Sequence, residues 1–84
     1  MKWGLLIGNR ASRQLRRLNA DERDNVDRTF AEMCENPLFG DVKFLRGRSS
    51  LRRRVGNWRI LFELEYEKRV IRVTAVKRRG SNTY

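Results

Sequence analysis

The sequence predicts an α+β fold, with an N-terminal strand and a helical hairpin packed on a mainly antiparallel sheet in the order β-α-α-β-β-β-β. Three observations carry that reading. Ahead of Gly40 the apolar residues recur at helical spacing, with Val26, Phe30 and Met33 at i, i+4 and i+7. After Gly40 they alternate, most clearly in Trp58, Ile60, Phe62 and Leu64. The alternating runs are separated by short turn segments, Gly47-Arg48-Ser49-Ser50, Gly56-Asn57 and Glu67-Lys68. Residues 1–84 read as a single domain with one modest core.

Each element has its own signal. Residues 2–7 form an apolar strand. Asn9 or Ser12 starts a first helix that sets Ala11, Leu15 and Leu18 on one face and turns Arg10, Arg13, Arg16 and Arg17 away. Asn19 followed by Glu22 is a capping box, and it opens a second helix that ends near Asn36, because Pro37 cannot continue it. Strands follow at Val42–Arg46, Leu51–Val55, Trp58–Tyr66 and Arg69–Lys77, with Gly56-Asn57 as a two-residue hairpin turn. Residues 79–84 read as a tail folding back over the sheet edge.

Charge is distributed unevenly. Residues 1–42 carry seven Lys/Arg against seven Asp/Glu, whereas 43–84 carry thirteen against Glu63, Glu65 and Glu67, so the formal +10 lies entirely in the second half. A one-sided positive field of this kind concentrates polyanions. The chain has no histidine and one cysteine, Cys34, which argues against a zinc site, an internal disulfide and the commonest general acid/base. Cys34, between Met33 and Glu35, reads as a buried thiol. The apolar run at 3–8 is too short for a signal peptide or a membrane span, so the expected compartment is the cytoplasm, with no membrane partner.

Strand alternation puts Arg52 and Arg54 on one face and Arg53 on the other with Val55. With Trp58, Ile60, Phe62 and Leu64 facing the core, Arg59, Leu61, Glu63 and Glu65 face the opposite side. Arg52, Arg54 and Arg59 then converge on an open sheet face, where Arg78 and Arg79 arrive from the last strand and Tyr84 closes the rim. Guanidinium groups grip phosphate bidentately and a tyrosine ring stacks on a base, so the set suits a nucleic-acid backbone with one unstacked base. Arg46, Arg48, Lys77 and Arg79 complete the RNA-binding set. The competing reading is a solvated strand face, with Glu63 and Glu65 paired to arginines across strands.

The string Leu51-Arg52-Arg53-Arg54-Val55-Gly56-Asn57-Trp58-Arg59-Ile60-Leu61-Phe62 resembles the YRxRVGDYRIIF signature of the RelE/ParE toxin superfamily. The ending Val76-Lys77-Arg78-Arg79-Gly80-Ser81-Asn82-Thr83-Tyr84 resembles that family's closing basic cluster with its tyrosine. Ala11, Leu15 and Leu18, then Asn36-Pro37 and Val42-Lys43-x-Leu45-x-Gly47, match its helical hairpin and following strand. The resemblance implies the toxin of a type II toxin–antitoxin pair. In the RelE branch this is a ribosome-dependent mRNA endonuclease that needs no metal or other cofactor and cleaves by 2′-hydroxyl attack in the ribosomal A site. The alternatives are a ParE-type gyrase inhibitor, or a degenerate, non-toxic member acting with its antitoxin.

The resemblance also implies roles by position. Arg52 and Arg54 match two basic strand residues at the RNA, Arg59 the transition-state arginine, Arg78 the proton donor to the leaving group, and Tyr84 the stacking base partner. Arg52 and Arg54 stand where some members have lysines, and arginine does not give up its proton, so any general base must lie elsewhere. Glu63 is the acid the sequence offers on that face. The implied partners are an antitoxin whose acidic segment wraps the toxin, mRNA and the ribosome, with the free toxin a monomer.

Overall fold

The computed structural model describes residues 2–78. The elements follow the expected order: β1 (Gly4–Ile7), α1 (Asn9–Leu15), α2 (Ala20–Glu35), β2 (Val42–Arg46), β3 (Ser50–Val55), β4 (Trp58–Glu65) and β5 (Val70–Arg78). The strands form one five-stranded sheet in the order β1-β5-β4-β3-β2. β1 runs parallel to β5, and every other pairing is antiparallel. The helical hairpin carries the chain across one face of the sheet, from β1 at one edge to β2 at the other.

The start of α2 is the clearest local signal in the chain. The Asn19 side chain accepts from the Glu22 backbone N–H at 2.8 Å, and Glu22 Oε1 accepts from the Asn19 N–H at 3.0 Å. Two donors that a helix start leaves unpaired are satisfied in this way. At the other end the Asn36 side chain accepts from the Leu38 N–H, which turns the chain toward β2.

Both helices cover one face of the sheet. Ala11 and Leu15 from α1, and Val26, Phe30 and Met33 from α2, meet Leu51, Ile60, Phe62, Ile71 and Val73. Cys34 is buried, and burial pushes its thiol pKa up, which keeps it protonated and inert. β1 is shorter than the expected strand over 2–7: the Lys2 and Trp3 backbone N–H groups donate to the Cys34 carbonyl instead of to a strand. The strongest strand ends at Glu65 and not at Tyr66, because Tyr66 turns its hydroxyl back to the Arg48 carbonyl.

The β4–β5 pairing contains a bulge that sequence alternation does not foresee. Leu61 pairs with Ala75 but Phe62 pairs with Val73, so Thr74 is an extra residue in β5. Its hydroxyl donates to the Leu61 carbonyl across the gap. One extra residue inverts the parity of everything that follows it in the strand. The core residues of β5 accordingly fall at Ile71 and Val73, then at Val76.

Gly40 leads into β2 with φ +90, and a Cβ there would lie 2.6 Å from the Arg53 guanidinium carbon. Gly56 takes φ +53 at the first position of the β3–β4 turn, with open space around it. Gly56→Ala should therefore cost about 1–2 kcal/mol for its left-handed backbone alone. Gly40→Ala should cost visibly more, because Arg53 must also leave its partners; the midpoints of urea unfolding compare the two.

Candidate functional site

The two-residue turn at Gly56-Asn57 places Val55 opposite Trp58 and therefore Arg54 directly opposite Arg59. On the far side of β4, Arg59 pairs with Lys77 of β5. Cross-strand partners share a face, so Arg54, Arg59 and Lys77 form one row across three adjacent strands, on the face away from the helices. At roughly 4.8 Å between strands the row spans about 10 Å, a width suited to one phosphodiester and its neighbours. Asp41 extends the row on the β2 side, its carbonyl accepting from the Arg54 N–H at 3.0 Å.

Three consecutive arginines meet three different fates. Arg52 shares the open face with Arg54 but is 7% exposed, and its Nη1 donates to Asp41 Oδ1 at 3.1 Å and to the Asp41 carbonyl at 3.3 Å. Arg53 turns to the helix face, as alternation requires, and donates to the Phe39 carbonyl at 2.6 Å and to Glu32 Oε1 at 3.0 Å. Arg54 is more exposed than either, 4.0 Å from Asp41 Oδ2, and its Nε is buried with no hydrogen-bond partner among the described residues. Of the three, Arg54 is the one whose guanidinium is left to meet a ligand.

Lys77 is 8% exposed, and its pKa is held below the ordinary lysine value by burial first and by the charge of Arg10 second. It is thus the member of the row that gives up its proton more readily than an ordinary lysine. The sequence places Lys77 in the RNA-binding set but carries no sign of its burial or its seat opposite Arg59. The bulge at Thr74 is what delivers Lys77 to it.

Arg78 is placed differently from expectation. Plain alternation through β5 sets it on the open face, but the bulge sends it to the helix face, opposite Trp58. There its guanidinium stacks over the Trp58 ring at 4.8 Å and stands 3.8 Å from Glu22 Oε2, which also accepts from Trp58 Nε1. The pair lies at the same end of the sheet as the row, on its other side.

Arg46 and Arg48 lie at the opposite end, around the β2–β3 turn, since Arg46 pairs with Ser50 and not with the Arg54 end of β3. Four residue steps along β3 take Ser50 to Arg54, about 13 Å, so these two arginines are not brought to the row. Glu63 is on the open face but is separated from Arg59 by the same interval, and its cross-strand partners are Ser50 and Arg72. Glu65 pairs with Arg72 at 3.0 Å, and that hydrogen bond holds its carboxyl below the usual range. The acid beside the site arginines is Asp41, eleven residues from Arg52 in sequence, with no local pattern that marks it. Arg79 and Tyr84 lie outside the described residues. Among the described residues no group of three His, Cys, Asp or Glu side chains is placed to hold a metal ion, and no helix is long and apolar enough to cross a membrane.

No protein-family model matches the chain, and no curated protein matches it. Solved structures do. The toxin in the archaeal RelE–RelB complex from Pyrococcus horikoshii OT3 superposes with a TM-score of 0.88 at 21% identity, over 95% of this chain and 98% of that one. The fold is that of the RelE toxins. The isolated Escherichia coli RelE toxin gives a TM-score of 0.82 at 20% identity over 95% of this chain and 87% of that one. The RelBE2 toxin–antitoxin complex of Mycobacterium tuberculosis gives 0.82 at 22%, over 94% of this chain and 100% of the other. The RelE fold therefore frames the cationic row at one end of its sheet.

Asp41→Ala would leave the buried Arg52 guanidinium without its carboxylate. Stability should fall by about 1–3 kcal/mol, read from chemical denaturation. Asp41→Asn, which keeps a carbonyl acceptor, should lose less.

Proposed function

We propose that this chain is the toxin of a type II toxin–antitoxin pair, and that it cleaves mRNA on the ribosome through the row of Arg54, Arg59 and Lys77. The single observation that carries the reading is that row, set on an open sheet face within a RelE fold. In the reaction the 2′-hydroxyl of one nucleotide, losing its proton to solvent water, attacks the adjacent phosphorus and the 5′-oxygen of the next nucleotide leaves, giving a cyclic phosphate and a 5′-hydroxyl. Arg54 and Arg59 contribute positive charge at the non-bridging oxygens, where negative charge accumulates in the transition state. Lys77, with its lowered pKa, donates the proton to the departing oxygen, which no arginine does well. Arg52, held by Asp41, orients its neighbour more than it grips substrate. Tyr84 and Arg79 keep their expected places at the RNA in this proposal.

The partner we propose is an antitoxin with an acidic and partly apolar segment. Supporting it are the complexes with RelB in which neighbouring folds were solved, and the +10 charge of this chain. Leu38, Phe39, Phe44 and Leu45 are exposed beside β2, the strand at the edge of the sheet. An unpaired strand edge flanked by apolar side chains is a surface that proteins cover.

Primer extension on mRNA in a translating extract tests the reading. Wild type should cut at A-site positions, and Arg59→Ala should lose that cutting by 100-fold or more, in keeping with about 2.7–4 kcal/mol for one transition-state contact. Lys77→Arg keeps the charge but not the exchangeable proton, so it should slow cleavage at least tenfold while RNA binding holds. Its alkaline limb should also lose the inflection that lies below the ordinary lysine range. A translation block without cuts, or DNA damage in place of either, would sink the nuclease assignment.

A further inference from the structure

The basic end of the sheet has a second side that the proposed reaction does not use. α1 carries Arg10 and Arg13, and Arg16 and Arg17 follow it, with no acidic residue before Asp21. Arg10, Gln14 and Arg17 form one wall of a cleft of about 290 Å3, and Trp58, Lys77 and Arg78 form the other. No carboxylate lines it. Gln14 is already engaged, its side-chain oxygen accepting from the Val76 N–H at 2.6 Å where β5 runs on past the end of β1. Glu22, the nearest acid to Arg78, is shared with Trp58 Nε1 and the Asn19 N–H.

Register sets Lys77 on the open face and Arg78 on the helix face, and both border the cleft, so the cations continue around the end of the strand from one face to the other. An RNA strand that meets Arg54, Arg59 and Lys77 on one side therefore finds Arg78, Arg10 and Arg17 in its path once it passes the sheet end. We propose that the α1–β5 cleft is a second phosphate-binding surface, which holds the ribose-phosphate backbone next to the segment lying on the open face. The inference rests on the reading of the chain as an RNA-binding toxin and adds to it a track longer than one scissile phosphate. Planar guanidiniums from α1, the turn after it and β5, the last of them over the Trp58 ring, suit phosphate oxygens from several approach angles.

The test is fluorescence anisotropy with a labelled single-stranded RNA of a dozen nucleotides, 2′-O-methylated so that it is not cut, over a series of salt concentrations. Arg10→Ser/Arg17→Ser is compared with wild type and with Lys2→Ser/Lys68→Ser, which removes the same charge from the opposite end of the sheet. Thermal unfolding confirms that each variant folds. The slope of log K against log salt should become shallower by about 1.4 for the cleft variant, two phosphate contacts at about 0.7 each, and by less than half of that for the control. An unchanged slope, or one equal to the control's, overturns the proposal. So does a variant that binds RNA as wild type does but loses a polyglutamate peptide, which would assign the cleft to an acidic protein segment. Wild type failing to bind RNA at any salt overturns both this inference and the function it rests on. A slope change without ribosomal cleavage keeps the cleft and removes only the nuclease reading.

Discussion

The basic end of the protein depends on how β4 is held between its neighbours. On one side a two-residue turn fixes its register to β3, so that Arg54 stands opposite Arg59. On the other, a single extra residue in β5 fixes which face Lys77 and Arg78 reach. A different turn length at Gly56-Asn57, or a β5 without Thr74, would shift one cation off the row and leave the core pattern of β4 untouched. Site and core are therefore specified separately on one strand. Ile60, Phe62 and Leu64 anchor β4 to the helices, while its pairing partners decide which charges meet.

Net charge overstates what this surface offers a ligand. Arg53 is tied to Glu32, Arg52 to Asp41 and Arg72 to Glu65, so a fair part of the cationic count is already balanced within the fold. Balanced charges at the strand centres also explain how a sheet so rich in arginine stays closed. Removing Glu32 would strand a buried guanidinium, a cost that grows with its burial. The arginines and lysine at the sheet end are set apart by sitting close together on three adjacent strands. Position, more than number, is what suits this surface to the phosphate contacts proposed for it.

Much of this was legible in the sequence. The capping box at Asn19 and Glu22, the stop at Pro37, the alternation in β4 and the glycine turn all act through nearest neighbours, and local patterns record such effects. The opposition of Arg54 and Arg59 followed from that turn. What escaped were the features that depend on pairing. A bulge leaves no mark in composition, so alternation alone puts Arg78 on the open face and Lys77 on the other, the reverse of what the strand does. Asp41 reaches Arg52 only because β2 and β3 are neighbours, and the charge-paired burial of Arg52 cannot be read from its own strand. Glu63 shows the converse limit, since sharing a face with Arg59 does not bring two residues together when they lie two steps apart along a strand.

The row also carries a cost that bears on function. Like charges directly opposite each other in a sheet destabilise it by some tenths of a kcal/mol up to about 1, and here they recur on both sides of Arg59. Asp41 relieves this at the β3 end. At the β5 end, burial and the nearby Arg10 already disfavour the charged form of Lys77. A fold tolerates such an arrangement when the core offsets it, and Ile60 and Phe62 beneath the row are almost wholly buried. An anion placed between the three cations cancels the repulsion and strengthens every charge-assisted contact at once. The same repulsion that strains the unliganded sheet thus becomes binding energy for phosphate, and by linkage any polyanion that occupies the row stabilises the folded chain.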